Sequence, residues 1–240
     1  TVVEGNRRLA ACLILAGDAR AVDQRKYAEQ FQALRDQHKR PKIERVPCIV
    51  FDAHESERDL LAYLGVRHIA SSQGWDSFAK AAWIARAVER HGMSPVDISA
   101  MTGDQNKTVS HLLEGYYFVQ QLVESGYFIP SQSTRKGRGS NPAFPFSWIY
   151  TLFFSPTARK FVGLPTEPAP NPVPTDKLPQ AGRLLERMFG ATGKSAAIDD
   201  SRDITRLARI LDDTHKVALL EAGRHIDQIS QVVEQIKRNP

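Results

Sequence analysis

The sequence has few of the residues that cross-link or metallate small proteins. Its 240 residues include only two cysteines, Cys12 and Cys48, and each lies in an apolar stretch. Two cysteines so placed exclude a disulfide framework and a four-cysteine zinc site. The seven histidines show no metal-ligand spacing, and no serine or cysteine stands in a nucleophile motif. The sequence therefore identifies no metal ligands and no obvious hydrolase triad.

Long apolar runs are also missing. The longest, residues 143–154, is interrupted by Pro145, Ser147 and Thr151, and it is too short to cross a bilayer. No secretory signal peptide is recognisable at the start of the sequence. We therefore expect a cytoplasmic protein without membrane contact.

The composition is that of an ordinary globular protein with a modest positive charge. Hydrophobic residues make up 42% and charged residues 25% of the chain, and the formal net charge is +5. This balance is compatible with a nucleic-acid partner but does not require one, because the position of the charges matters more than their sum.

The first ten residues have the pattern of a strand, a glycine turn and a helix start. Residues 2–3 read as the end of a strand, and an apolar helix opens at Arg7 after Gly5. Such a corner directs backbone N–H groups and the positive end of a helix dipole at one point, where an arginine adds charge. The alternative is a structural corner with two solvated arginines.

A second strand is expected at residues 45–52, near a sheet edge because Pro47 removes a donor. Together the two strands predict an α+β first quarter of the chain. One strand end cannot form a sheet alone, so we expect further strands from chain that precedes Thr1.

Residues 94–113 have the pattern of a helix-turn-helix. Ser94 and Pro95 are an N-cap and a first-turn proline, and a glycine turn at 102–104 separates two short helices. The second helix opens with polar residues of the types that contact base edges and phosphates. These candidate DNA-binding residues are Gln105, Asn106, Lys107, Thr108, Ser110 and His111. The alternative is a structural helical hairpin with a polar face.

Two later segments complete the organisation of the chain. The loop 126–142 carries a basic cluster, Arg135, Lys136 and Arg138, which either follows a phosphate backbone or is simply solvated. The alternating prolines of residues 166–174 indicate a stiff linker. Helical periodicity beyond them predicts an all-helical C-terminal module, suited to dimerisation or to packing on the rest of the chain.

The segment from Gly5 to Ala11 resembles the Gly-x-Arg-Arg-x-x-Ala box of the ParB/sulfiredoxin-like superfamily, in its ParB branch. The order of parts is similar too: the box, a valine-proline strand at Val46-Pro47, a helix ending near an arginine, and a helix-turn-helix. The resemblance covers about residues 2–122. The Glu-Asn-x-x-Arg box of ParB proteins is reduced here to its arginine, Arg67, and the chain after about Phe128 resembles no ParB dimerisation domain.

The resemblance implies a nucleotide site coupled to a DNA-binding module. In ParB proteins the box holds the triphosphate of CTP with Mg²⁺, and nucleotide binding controls a clamp on DNA. The nucleotide-binding residues that it implies here are Gly5, Asn6, Arg7, Arg8, Arg67 and His68. Whether the nucleotide is hydrolysed is left open. Other members of the superfamily are nucleases or ATP- or ADP-using enzymes, and Glu4 would then be a catalytic acid or base.

The sequence thus predicts an α+β, predominantly α-helical protein. Its expected parts are an incomplete ParB-like domain (1–70), a helical domain containing the helix-turn-helix (71–164), a proline-rich linker (165–177) and a helical module (178–240). The expected function is nucleotide-regulated binding of double-stranded DNA, as a homodimer at the bacterial nucleoid. The alternatives are a ParB-fold nuclease or phosphotransferase, and a helical interaction module without nucleotide chemistry.

Overall fold

The computed structural model describes residues 2, 4–39, 45–48, 50, 57–69, 75–103 and 106–238. The chain divides into two compact units, Thr1–Ala53 and His54–Pro240, which we call unit 1 and unit 2. Each unit is described by itself. Within the described ranges, no helix is both long and apolar enough to cross a membrane.

Unit 1 is a helical hairpin. Helix α1 (Asn6–Ala16) and helix α2 (Arg25–Gln37) pack on each other across a 3₁₀ turn (Ala19–Gln24). Neither helix contains a buried residue. Tyr27, Phe31 and Leu34 form an exposed apolar stripe on α2.

The predicted strands are absent from the residues that the structure describes. Val2, residues 45–48 and Val50 have no strand structure, while Thr1, Val3, Ile49 and residues 51–52 lie outside the described ranges. Val46 and Val50 are 46% and 80% exposed, so this segment buries no apolar face, and a strand without a partner leaves its backbone groups unpaired. The helical part of the fold prediction is confirmed, and the α+β part is wrong for the described chain.

Unit 2 contains ten helices within its described residues. They are α3 (Glu57–Ile69), α4 (Ser77–His91), α5 (Pro95–Thr102), α6 (Asn106–Glu124), α7 (Ser147–Leu152), α8 (Pro156–Val162), α9 (Leu178–Phe189), α10 (Ile204–Ile210), α11 (Thr214–Glu221) and α12 (Ile226–Arg238).

Helix α5 starts where the sequence predicts, after the N-cap Ser94. The Ser94 hydroxyl accepts a hydrogen bond from the Asp97 N–H, and the Asp97 carboxylate accepts one from the Ser94 N–H, with Pro95 in the first turn. This reciprocal capping box satisfies two backbone donors that a helix start otherwise leaves unpaired. The N-cap and first-turn proline predictions are therefore confirmed.

Helix α6 is the centre of unit 2. It packs against α4, α5, α7 and α9, and from Leu112 onward most of its side chains are buried. One hydrophobic cluster extends around it from Leu61 to Ile229. Residues on both sides of the proline-rich segment therefore contribute to a single core.

The proline-rich segment is fastened to α6. The Gln121 amide donates to the Val173 carbonyl at 2.8 Å and accepts from the Val173 N–H at 2.7 Å. Val173 itself is buried. The Gln121 side chain thus pairs with both backbone polar groups of Val173, as a neighbouring strand would in a sheet. The domain boundaries proposed from the sequence stay predictions.

Candidate nucleic-acid interface

The N-terminal end of α6 is exposed, whereas the middle of the helix, residues 112–122, is largely buried. Lys107 and Thr108 are exposed and Ser110 is half-buried, whereas Val109 and Leu112 are buried. Successive helical residues are about 100° apart, so one face of this turn packs on the core while the other meets solvent. Gln105 and the Asn106 side chain lie outside the described residues.

His111 closes this surface on its inner side. Its half-buried ring lies perpendicular to the ring of Phe154, with ring centroids 4.4 Å apart. Burial, with the positive charges of Arg159 and Lys107, lowers the pKa of His111 from its usual value of 6.5. The ring is therefore neutral at about pH 7.

A buried ion pair anchors α8 directly beneath His111. Glu114, one helical turn further along α6, is 2% exposed and pairs with the Arg159 guanidinium. Burial raises the pKa of Glu114, although the charge and hydrogen bond of Arg159 oppose that rise. Arg159 also donates to the Pro165 carbonyl. The pair therefore ties the helix-turn-helix to α8 and to the chain that follows it.

A groove of about 440 Å³ continues from Phe154 along α7, α8 and α10. Phe154 is 56% exposed. The polar side chains that line the groove are Thr151, Ser155, Thr157, Thr205, Arg209 and Asp212. The sequence does not indicate this groove, because its walls come from segments about fifty residues apart.

The basic loop is held to the body of unit 2. Arg135 pairs with Asp199 at 2.6 Å, and the Lys136 ammonium donates to the Ser133 carbonyl at 2.7 Å. Arg138 is exposed. Two of the three predicted phosphate contacts are thus engaged within the protein, and the whole cluster stays a prediction.

The arginine box lies at the start of α1. Gly5 is the N-cap, with a φ of 87° that favours glycine, and Leu9 donates the first helical hydrogen bond to its carbonyl at 2.9 Å. The Arg8 guanidinium folds back toward Gly5, with Nη2 3.6 Å from the position that a Cβ would take. Asn6 and Arg7 are exposed, and Glu4 is half-buried.

Arg67 and His68 belong to unit 2. They lie in the last turn of α3, where His68 stacks on Trp75 with ring centroids 4.6 Å apart. The predicted nucleotide site therefore draws on residues of both units, and its assembly stays a prediction. Among the side chains that the structure describes, no cluster of three His, Cys, Asp or Glu is placed to hold a metal ion.

No protein-family model matches the chain, and comparison with curated proteins and with solved structures finds no match either. The resemblance to ParB proteins consequently rests on the sequence motifs quoted above.

Proposed function

We propose that unit 2 binds double-stranded DNA through the N-terminal end of α6, the second helix of a helix-turn-helix. The observation that supports this most is the exposure of Lys107 and Thr108 at the N-terminal tip of a helix whose middle, residues 112–122, is largely buried in the core. In helix-turn-helix proteins the N-terminal residues of the second helix contact base edges in the major groove.

The chemistry of this end suits DNA. Lys107 supplies a cation for a phosphate, the Thr108 and Ser110 hydroxyls donate to phosphates or base edges, and His111 adds a neutral ring nitrogen. The first helix, α5, is short and firmly capped by Ser94 and Asp97, which suits an element that supports the second helix.

The test is the salt dependence of DNA binding by the Lys107→Ala variant. Fluorescence anisotropy with a labelled duplex, between about 50 and 200 mM salt, should show weaker binding and a log–log slope reduced by about one counterion. Lys26→Ala, which removes an exposed lysine of α2 in unit 1, is the matched control and should keep the wild-type slope. Equal affinities and slopes for wild type and Lys107→Ala would contradict DNA binding at this end.

We further propose that unit 1 binds the phosphates of a nucleoside triphosphate, CTP with Mg²⁺ by resemblance to ParB proteins, and that this regulates DNA binding. The support is the left-handed Gly5 at the start of α1 with Arg8 folded beside it. The N–H groups of Asn6, Arg7 and Arg8 precede the first helical hydrogen bond and point out of the helix end. These N–H groups, together with the positive charge of the arginine side chains, suit an anion.

Isothermal titration calorimetry of CTP with Mg²⁺ tests the nucleotide site. Arg8→Ala removes the cation beside Gly5 and should weaken binding about tenfold or more, since charge-assisted hydrogen bonds contribute about 1.5–3 kcal/mol. Arg25→Ala, an exposed arginine at the start of α2, is the control. Titrating ATP and GTP against the wild type identifies the base. If none of CTP, ATP and GTP binds, the result contradicts the nucleotide site and favours a helical interaction module without nucleotide chemistry.

A further inference from the structure

The groove beside Phe154 has the features of a site for a nucleotide outside the double helix. We propose that it takes one unpaired nucleotide of a DNA strand, with the base stacked on Phe154 and the adjoining phosphate at Arg209. The inference rests on the proposed DNA binding by α6 and extends it to the DNA that flanks the duplex.

Phe154 supplies the stacking surface. Large aromatic side chains are usually buried, yet Phe154 is 56% exposed while the adjacent Phe153 is 1% exposed. The perpendicular contact with His111 orients the ring, and the ring also borders the groove. Every base has a planar π-face, so an exposed aromatic ring beside a cation is the arrangement by which proteins hold single strands with little sequence preference.

The opposite wall supplies polar groups at suitable spacing. Thr205 and Arg209 are one turn apart on α10 and therefore share a face of that helix. Arg209 is exposed, and within the described part of the chain no carboxylate forms an ion pair with it, so its charge is available for a phosphate. Asp212 provides an acceptor for the amino group of a base.

The size and position of the groove fit this occupant. Its volume of about 440 Å³ lies in the range of about 300–1,000 Å³ that is usual for small-molecule sites. Because Phe154 contacts His111 on α6, a strand leaving a duplex bound there passes the groove directly.

The experiment compares three labelled DNAs by fluorescence anisotropy: a blunt duplex, the same duplex with a five-thymidine extension, and the thymidine oligomer alone. The wild-type protein should bind the extended duplex about tenfold more tightly than the blunt one, as expected for stacking of one base. Phe154→Ala and Arg209→Gln should each reduce this ratio toward one. Arg202→Gln removes an exposed arginine that does not line the groove and should preserve the ratio.

The outcomes separate this inference from the proposed function. Equal wild-type affinities for blunt and extended duplexes overturn the groove assignment and leave duplex binding standing. Binding of the thymidine oligomer that is lost in Phe154→Ala, without duplex binding, supports the groove and overturns the role of α6. A thermal shift by thymidine monophosphate that Phe154→Ala abolishes, with no gain from the extension, overturns the strand assignment in favour of a free nucleotide. Should Phe154→Ala fail to fold, Arg209→Gln carries the test, since that side chain is exposed.

Discussion

Gly137 is the residue that closes the basic loop. Its N–H donates to the Pro142 carbonyl at 3.1 Å. A Cβ at this position would lie 2.1 Å from the Asn141 carbonyl oxygen and 2.2 Å from that of Phe144. Both obstacles are backbone atoms, so the loop has to open to admit even a methyl group.

Gly137→Ala should therefore lower the free energy of unfolding by about 3 kcal/mol, at the upper end of the cost of overpacking. Urea denaturation followed by circular dichroism measures the change. The control is Arg138→Ala in the same loop, whose exposed side chain should matter by no more than about 0.5 kcal/mol. Equal stabilities for the two variants would show that the loop is not closed as described.

At the scale of single residues, the sequence predicts what depends on near neighbours. The capping role of Ser94 and the positive φ of Gly5 follow from residues within one turn. The pairing of Arg135 does not, because its partner Asp199 is 64 residues further along the chain. In the sequence, Arg135 lies in a loop rich in serine and glycine and is expected to be solvated. Only the fold brings the Asp199 carboxylate to it.

At the scale of elements, Asp76 joins the basic loop to α4. Its carboxylate caps α4 through the N–H groups of Phe78 and Ala79, and it accepts from the Ser140 N–H at 2.7 Å and hydroxyl at 2.8 Å. Burial acts to raise the pKa of Asp76, but these hydrogen bonds outweigh it and hold the pKa below the usual 3.8. The charged form of Asp76 thus stabilises the folded state.

The sign of the pH dependence follows from this lowered pKa. The stabilisation is fully present well above pH 3.8, the unfolded value, and it is lost as the pH falls through that value and then through the lower folded pKa. Asp76→Asn should lower the free energy of unfolding by about 1–2 kcal/mol near pH 7. The difference from wild type should shrink in acid.

Denaturation series at several pH values measure that difference. Asp176→Asn, at an exposed position, is the control. Its free energy of unfolding should fall with decreasing pH as that of the wild type does. A deficit in Asp76→Asn that is the same at every pH would contradict the role of the charge.

Helix prediction succeeded at α5, where a capping residue marks the start of the helix and a glycine marks its end. Strand prediction failed at residues 45–50 because alternating apolar residues indicate a strand only when a neighbour pairs with it. The sequence near Val46 and Val50 carries the pattern, and the described chain supplies no pairing partner for it.

At the scale of the whole molecule, the sequence indicates a proline-rich boundary but not what crosses it. Helices on either side of that segment contribute to one hydrophobic cluster. The surface of α6 was predictable, since its polar residues adjoin one another in sequence. The groove was not, because α7 and α10 meet only after the segment between them has folded back, fixed in part by Gln121 and Val173.

The enclosure of α6 has a kinetic consequence for the proposed complex. Helix α6, most of whose side chains are buried from Leu112 onward, reaches a partner already ordered, so little conformational entropy is lost on contact. Association is then governed by diffusion and by the attraction between Lys107 and the phosphates, and it slows as salt increases. Removing the charge of Lys107 would therefore slow association, whereas substitutions of the neutral residues at the helix tip would chiefly change how long a complex lasts.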